Sequence, residues 1–133
     1  MEFAGINYLA VGIAVIASMA IGAFWYGTFA KQWMAAANIN PDTVKQEPKL
    51  YIIAAICQLI TAWMLAGVIG HLGMMSLIGG LTTAAFCWLG FVVSTMTVNH
   101  RFQGAGWNLT LIDGGHWLAV LLAQGAIIGW MGV

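Results

Sequence analysis

The chain has 133 residues, of which 62% are apolar and only 6% charged, and its four basic and four acidic residues give a net charge of zero. A typical soluble domain carries about 25% charged residues. No charged residue occurs between Phe3 and Ala30 or between Leu50 and His100. Such stretches cannot supply a polar exterior, and no basic patch is left to meet nucleic acid. The composition therefore excludes soluble, disordered and nucleic-acid-binding proteins and predicts an integral membrane protein in a lipid bilayer.

The apolar residues form four continuous runs, which predict an all-α four-helix bundle in a single transmembrane domain. A hydrocarbon core about 30 Å thick needs roughly 20 apolar residues per helix. The residues do not alternate in polarity as those of a membrane β-barrel do. We expect the spans at about residues 3–29, 50–70, 74–98 and 108–133.

The one long connection, residues 31–49, predicts a short interfacial helix. Asn40-Pro41-Asp42 is typical of a helix start, and Pro48 of a helix stop. Asn108 is expected to cap the fourth span. Cys57 and Cys87 are interpreted as small buried side chains at different depths, which disfavours a disulfide.

The basic residues predict the orientation of the chain. Lys31, Lys45 and Lys49 follow the first span, and Arg101 follows the third, so all four lie on one side. By the positive-inside rule, the connections 31–49 and 99–106 are expected in the cytoplasm and both termini outside, with Glu2 at the outer terminus.

Small residues recur on one face of every span, and membrane helices pack closely through such faces. We expect these faces to hold the bundle together and to join protomers in a homo-oligomer. The packing candidates are Ser18, Gly22, Ala62, Ala66, Gly115 and Ala119. Aromatic residues at the ends of spans are expected to anchor at the headgroup level. These interface anchors are Trp25, Tyr26, Trp33, Trp107 and Trp130.

Short motifs along nearly the whole chain carry a family resemblance. They are Gly22-Ala23-Phe24-Trp25-Tyr26 with Lys31-Gln32-Trp33, then Trp88-Leu89-Gly90-Phe91, residues 99–102, Trp107, and Leu111-Ile112-Asp113-Gly114-Gly115. With these motifs the chain resembles the small bacterial membrane proteins of the domain-of-unknown-function family 1761. The resemblance implies four spans and a bacterial origin, and it brings no established activity; we therefore expect the protein in a bacterial inner membrane. Asp113 and Gly115-His116 depart from the family, which usually has Asn and Gly-Tyr there.

Asp113, His116 and Gln124 lie on one stripe of the fourth span. About one membrane thickness of chain follows Asp113, so this residue lies near the cytoplasmic boundary. Two interpretations stay open. Asp113 caps the helix or pairs with Arg101 or His116, or the pair relays protons or binds a cation. Gln58, Gln124 and Asn7 are the expected polar lining of such a path.

His100, Asp113 and His116 match a three-ligand metal set in residue type, although their spacing fits no recognised motif. Packing and hydrogen bonding explain the same residues, so we expect no metal, haem or other cofactor. The sequence also contains no nucleotide-binding loop and no catalytic triad motif, which argues against an enzyme.

Three functions remain open. The first is a small transport or channel protein that acts as an oligomer, with Asp113 and His116 handling a proton or cation. The second is a non-catalytic accessory or assembly subunit that packs against another membrane protein. The third is a metal- or haem-binding membrane enzyme that uses His100 and His116.

Overall fold

The computed structural model describes residues 5–132 and is all-helical over that range. The helices are α1 (Tyr8–Thr28), α2 (Ala30–Ala36), α3 (Pro48–His71), α4 (Leu77–Cys87), α5 (Ser94–Phe102) and α6 (Trp107–Met131). A π-helical segment, Trp88–Val93, joins α4 to α5 in one continuous rod. Residues 1–4 and 133 lie outside the described residues. They include Glu2, the first residues of the first predicted span and the last residue of the fourth.

Four helices are long and apolar enough to cross a membrane: α1, α3, α6 and the continuous rod Leu77–Phe102. At 1.5 Å per residue, the shortest of them is about 30 Å long, which matches a hydrocarbon core. The predicted four-helix membrane fold is therefore confirmed. The expected boundaries at residues 50, 70 and 108 fall within two residues of the observed helix ends, whereas the third span, expected at residues 74–98, runs from Leu77 to Phe102.

A short helix follows α1, as predicted, but its predicted position was wrong. It comprises Ala30–Ala36 and is separated from the end of α1 by one residue, Phe29. The Asn40 side chain instead accepts a hydrogen bond from the Asp42 amide, at 2.9 Å, which holds a turn. Pro48 does not stop a helix but begins α3, where a missing amide hydrogen costs nothing.

Two asparagines near helix starts have roles other than those expected. Asn7 is the cap of α1, because its side chain accepts from the Ala10 amide at 3.2 Å. Its side-chain oxygen thus bonds the first turn of its own helix. Asn108 is not a cap, since α6 begins at Trp107 and Gly106 is its capping residue.

The π segment divides the third span, and the sequence analysis did not predict it. A π turn disturbs the regular pattern of backbone hydrogen bonds, which has to be compensated in a membrane. Three hydroxyls just beyond it supply compensation: Ser94 donates to the Leu89 carbonyl, Thr95 to Phe91, and Thr97 to Val93. The hydroxyls of Ser94, Thr95 and Thr97 thus donate hydrogen bonds to backbone carbonyls of their own span.

The bundle is built around α6, which packs against α1, α3 and the whole third span. Its closest neighbour is α4, because glycines face each other there. A Cβ on Gly80 would overlap the carbonyl oxygen of Gly125, and one on Gly129 would overlap that of Ser76. The two backbones are therefore in direct contact, as in other membrane helix pairs built on small residues spaced by four.

Most large apolar side chains point outward, as expected for a protein that faces lipid. Residues on α3, including Ile52, Ile56 and Ile60, are about half exposed. Small residues fill the interior instead, with Ala14, Ala62 and Ala66 almost fully buried. Cys57 is exposed, so its predicted burial was wrong, and both cysteines are free.

Candidate functional site

Asp113 lies in the second turn of α6 and faces α1. Its Oδ1 accepts a hydrogen bond from the Tyr26 hydroxyl at 2.7 Å. In the described part of the chain its partner is thus Tyr26, and not Arg101, His116 or the first amides of α6. The expected capping or ion-pair role is replaced by a contact between the ends of α1 and α6.

Arg101 is turned toward the start of α6 and away from Asp113. Its Nη2 donates to the carbonyls of Ala105 and Gly106 and to the Thr110 hydroxyl, at 2.9–3.1 Å. The guanidinium also lies 3.8 Å from the centre of the Trp107 ring. This single side chain fixes the connection between the third and fourth spans.

His116 is buried one turn deeper than Asp113. Its ring centre lies 4.9 Å from that of Tyr26 and 5.1 Å from that of Trp117. Gly22 of α1 faces the imidazole, and a Cβ added there would lie in van der Waals contact with the His116 Nε2, at 3.4 Å. The other ring nitrogen, Nδ1, is buried and has no hydrogen-bond partner among the described residues.

Two tryptophans hold the same turns of α6 in place. The Trp25 Nε1 donates to the Ile112 carbonyl at 3.0 Å, and the Trp88 Nε1 donates to the Gly114 carbonyl at 2.9 Å. The Trp25 ring lies so close to Gly115 that an added Cβ would come within 2.8 Å of it. Trp25, which was expected to anchor the first span at the headgroup level, thus donates a hydrogen bond to α6 and packs against it.

A second polar cluster lies deeper in the bundle, where three spans meet. The Gln124 Nε2 donates to the Ser18 hydroxyl at 2.9 Å and to the Gln58 Oε1 at 3.2 Å. Ser18 in turn donates to the Ala14 carbonyl at 2.7 Å. The Gln124 Oε1 is buried without a hydrogen-bond partner among the described residues. Gln58 and Gln124 thus come together as polar partners, while Asn7 lies apart from them.

His100 does not join Asp113 and His116. Its Nδ1 lies 2.8 Å from the Thr110 hydroxyl, whereas Asp113 bonds Tyr26. Among residues 5–132, no group of three His, Cys, Asp or Glu side chains is placed to hold a metal ion. The predicted three-ligand set is therefore not assembled.

The remaining candidates fall into two groups. Trp107 and Trp130 are well exposed, and Trp33 packs edge-on against Tyr26 with 5.5 Å between ring centres. The packing candidates Ser18, Ala62 and Ala66 are buried in the interior, and Ala119 is partly buried.

Sequence reasoning missed several contacts that have recognisable signals. Tyr26 is expected only at the headgroup level. However, it lies near the end of the first span on the same side of the membrane as Asp113, and a tyrosine hydroxyl there is a natural donor to the carboxylate. The Gly125 and Gly129 pair, four residues apart, opposes Ser76, Gly80 and Ala84 at the same spacing. That pairing could have been found by matching the two spacings.

The fold and the site together define an all-helical, four-span membrane protein with paired polar groups inside the bundle. The family described as Protein of unknown function (DUF1761) matches residues 9–129, and the chain belongs to this family. Comparison with curated proteins and with solved structures gave no match.

Proposed function

We propose that the protein is a small transport protein that acts as an oligomer and moves protons or small cations through the bilayer. The observation that carries the proposal is the placement of Asp113. It is the one acidic residue in the four described membrane-length helices, and it faces α1 inside the bundle. An ionisable group costs about 2.5–3.5 kcal/mol at the centre of the bilayer and less near the boundary where Asp113 is expected, and such groups within membrane helices commonly have a function.

The neighbours of Asp113 suit the handling of a proton. The Tyr26 hydroxyl holds one carboxylate oxygen at 2.7 Å. His116, three residues further along α6, projects from a neighbouring position of the same helix face. Its Nδ1 is buried and unpaired among the described residues, so this nitrogen is available to accept or release a proton.

Among the described residues, the polar groups of one chain leave a gap between His116 and Gln124, which groups from a second chain could fill in an oligomer. Gln124 lies eight residues beyond His116, or about 12 Å along the helix. Between them Val120 is fully buried. A path from His116 to Gln124 therefore needs either a movement of α6 or groups from a second chain.

Replacing Asp113 by Asn tests the proposal, because the amide keeps the size of the side chain and removes its charge. We expect the full chain in liposomes to carry protons down an imposed gradient, measured with a pH-sensitive dye trapped inside. D113N should lower this flux at least tenfold. Asp42 is exposed in the connection before α3, so D42N is the matched control and should leave the flux unchanged.

Sodium and potassium are measured in the same liposomes with trapped ion-sensitive dyes. If wild-type liposomes carry none of the three ions faster than empty ones, the transport proposal is wrong. Equal flux for D113N and wild type would remove Asp113 from the mechanism. A size-exclusion profile and circular dichroism spectrum of D113N, matching those of wild type, show that any loss of flux is not a loss of fold.

A second candidate is an accessory subunit that packs against another membrane protein. The first half of α3 favours it, because Ile52, Ile53, Ile56, Leu59 and Ile60 are all about half exposed there. Mass measurement in nanodiscs separates the two candidates. A defined homo-oligomer supports shared transport, whereas a monomer leaves this face free for a different partner.

The orientation belongs to the same proposal. We place the connections 31–49 and 99–106 on the cytoplasmic side of a bacterial inner membrane, with both ends of the chain outside. The location of all four Lys and Arg residues in or beside these two connections supports it. No cofactor is needed for this function.

A further inference from the structure

The Tyr26 hydroxyl and the Asp113 carboxylate share one hydrogen between α1 and α6. The two oxygens lie 2.7 Å apart, and the hydroxyl donates to the Asp113 Oδ1. A tyrosine hydroxyl can both donate and accept, so the contact can persist when the carboxylate takes up a proton and becomes a neutral acid. The pair can therefore bind and release a proton without losing its link between the two spans.

Two neighbouring rings hold the Tyr26 side chain in this position. Its ring centre lies 4.9 Å from that of His116 and 5.5 Å from that of Trp33. Aromatic rings at these distances are in packing contact. The contacts fix the Tyr26 ring and keep its hydroxyl beside Asp113.

The titratable groups around Asp113 are the Tyr26 hydroxyl, in contact with it, and the His116 ring, three residues further along α6. The titratable and charged side chains in the last turn of α5, His100 and Arg101, are engaged elsewhere. Both contact the hydroxyl of a threonine at the start of α6. The strongest contact of the carboxylate is thus with a neutral hydroxyl and not with a cation.

The backbone carbonyl oxygens on either side of Asp113 already accept indole N–H groups. Trp25 donates to the Ile112 carbonyl at 3.0 Å. Trp88 donates to the Gly114 carbonyl at 2.9 Å. Each carbonyl oxygen has two lone pairs, of which the helix amide four residues further along takes one and the indole takes the other. Metal cations are bound by carbonyl and carboxylate oxygens that replace their water, and these two carbonyls cannot serve in that way while they accept the indole hydrogens.

We propose that Asp113 and the Tyr26 hydroxyl form a proton-binding pair that takes neither sodium nor potassium. The carboxylate gains one proton and becomes a neutral carboxylic acid, and no other covalent bond forms or breaks. A proton needs a single carboxylate oxygen, which this site supplies, whereas a metal cation needs several oxygens at once. The inference rests on the proposed transport function and narrows the carried ion to the proton.

Infrared difference spectroscopy of the full chain in lipid bilayers tests the pair without requiring transport. The sequence has four acidic residues, so few carboxyl groups contribute to the spectrum. Acidification should produce a carboxylic acid C=O band that D113N lacks, while D42N, changed at an exposed residue, keeps it. Sodium or potassium, exchanged for choline at constant pH and ionic strength, should leave the Asp113 carboxylate bands unchanged. An acid band that D113N retains in full, or a sodium- or potassium-dependent shift that D113N lacks, would overturn the inference.

The part of Tyr26 is tested with Y26F, which removes the hydroxyl and keeps the ring. The C=O band of protonated Asp113 should move to higher frequency, because a carboxylic acid that loses a hydrogen bond has a stiffer double bond. Tyr8 is exposed at the other end of α1, so Y8F is the matched control and should leave the band in place. An unmoved band in Y26F would overturn the pair.

Ion flux in liposomes separates this inference from the transport proposal. Proton flux that depends on Asp113, with sodium and potassium flux no faster than in empty liposomes, supports both. Sodium or potassium flux that D113N abolishes would overturn the proton-specific pair and leave transport standing. No flux of any ion, with an Asp113 acid band that neither cation alters, would end the transport proposal and leave the proton-binding pair.

Discussion

Gln124 and Ser18 are both fully buried where α1, α3 and α6 meet. In this position the two side chains and Gln58 can find hydrogen-bond partners only among themselves and the backbone. The two hydrogen bonds donated by Gln124 link α6 to α1 and to α3, so they align these helices along the membrane normal. Hydrogen bonds of this kind between membrane helices contribute about 0.6 kcal/mol on average and up to about 1.7 kcal/mol.

At this scale we predict that Q124L destabilises the bundle and that the effect is shared with Ser18. A double-mutant cycle of S18A and Q124L should give a coupling free energy of about 0.6–1.7 kcal/mol. Unfolding in mixed micelles with increasing denaturing detergent measures it. Gln32 is exposed, so Q32L is the control and should change the unfolding free energy by less than about 0.5 kcal/mol. A coupling near zero would mean that the hydrogen bond adds no stability.

The sequence identified Asp113, His116, Gln58 and Gln124 as polar residues within apolar helices, because such residues are conspicuous there. It did not show their partners. Tyr26 bonds Asp113 from 87 positions away along the chain, and the rotation of each helix decides which polar groups meet. Spacing within one helix fixes a face, but it does not fix what that face contacts.

Among the elements, α4 and α6 form the closest pair, because their glycines allow the backbones to touch. The hydropathy pattern predicted both helices well. It did not single out Gly80, which makes the contact, because the adjacent Gly79 is equally small. The π segment was also missed, because its residues, Trp88–Val93, are as apolar as an ordinary membrane helix.

At the element scale we predict that G80A destabilises the protein by about 1–3 kcal/mol, the usual effect of overpacking a close contact. A Cβ at this position overlaps the Gly125 backbone, which cannot move aside as a flexible side chain can. Gly12 is exposed and has open space around it, so G12A should be neutral or slightly stabilising through its better helix propensity. Thermal unfolding in detergent compares the two variants, and equal melting temperatures would contradict the close contact.

For the whole molecule, the number of spans followed from the arrangement of apolar and charged residues along the chain. Four apolar runs of membrane length leave little choice of fold, and their boundaries follow from the charged and polar residues between them. The long connection was harder to interpret. Its Asn-Pro-Asp sequence suits a helix start and a turn equally, and local hydrogen bonding at Asn40 decides for the turn.

An even number of spans places both ends of the chain on one side, and cysteine labelling tests which side it is. In a background without Cys57 and Cys87, we expect N40C to react with a membrane-impermeant maleimide only after the cells are opened. L72C, in the turn between α3 and α4, should react in intact spheroplasts. The reverse pattern would invert the proposed orientation, and labelling of both in intact cells would contradict a single orientation.

The contact of Gly80 with Gly125 also constrains how the third span can move. Backbones that touch leave no side chain between them whose rotamer could change, so α4 cannot slide along α6 without a clash. The other end of the span is held through Arg101 and Thr110 at the start of α6. We therefore expect any change of tilt in the rod Leu77–Phe102 to be absorbed at Trp88–Val93, between these two fixed ends.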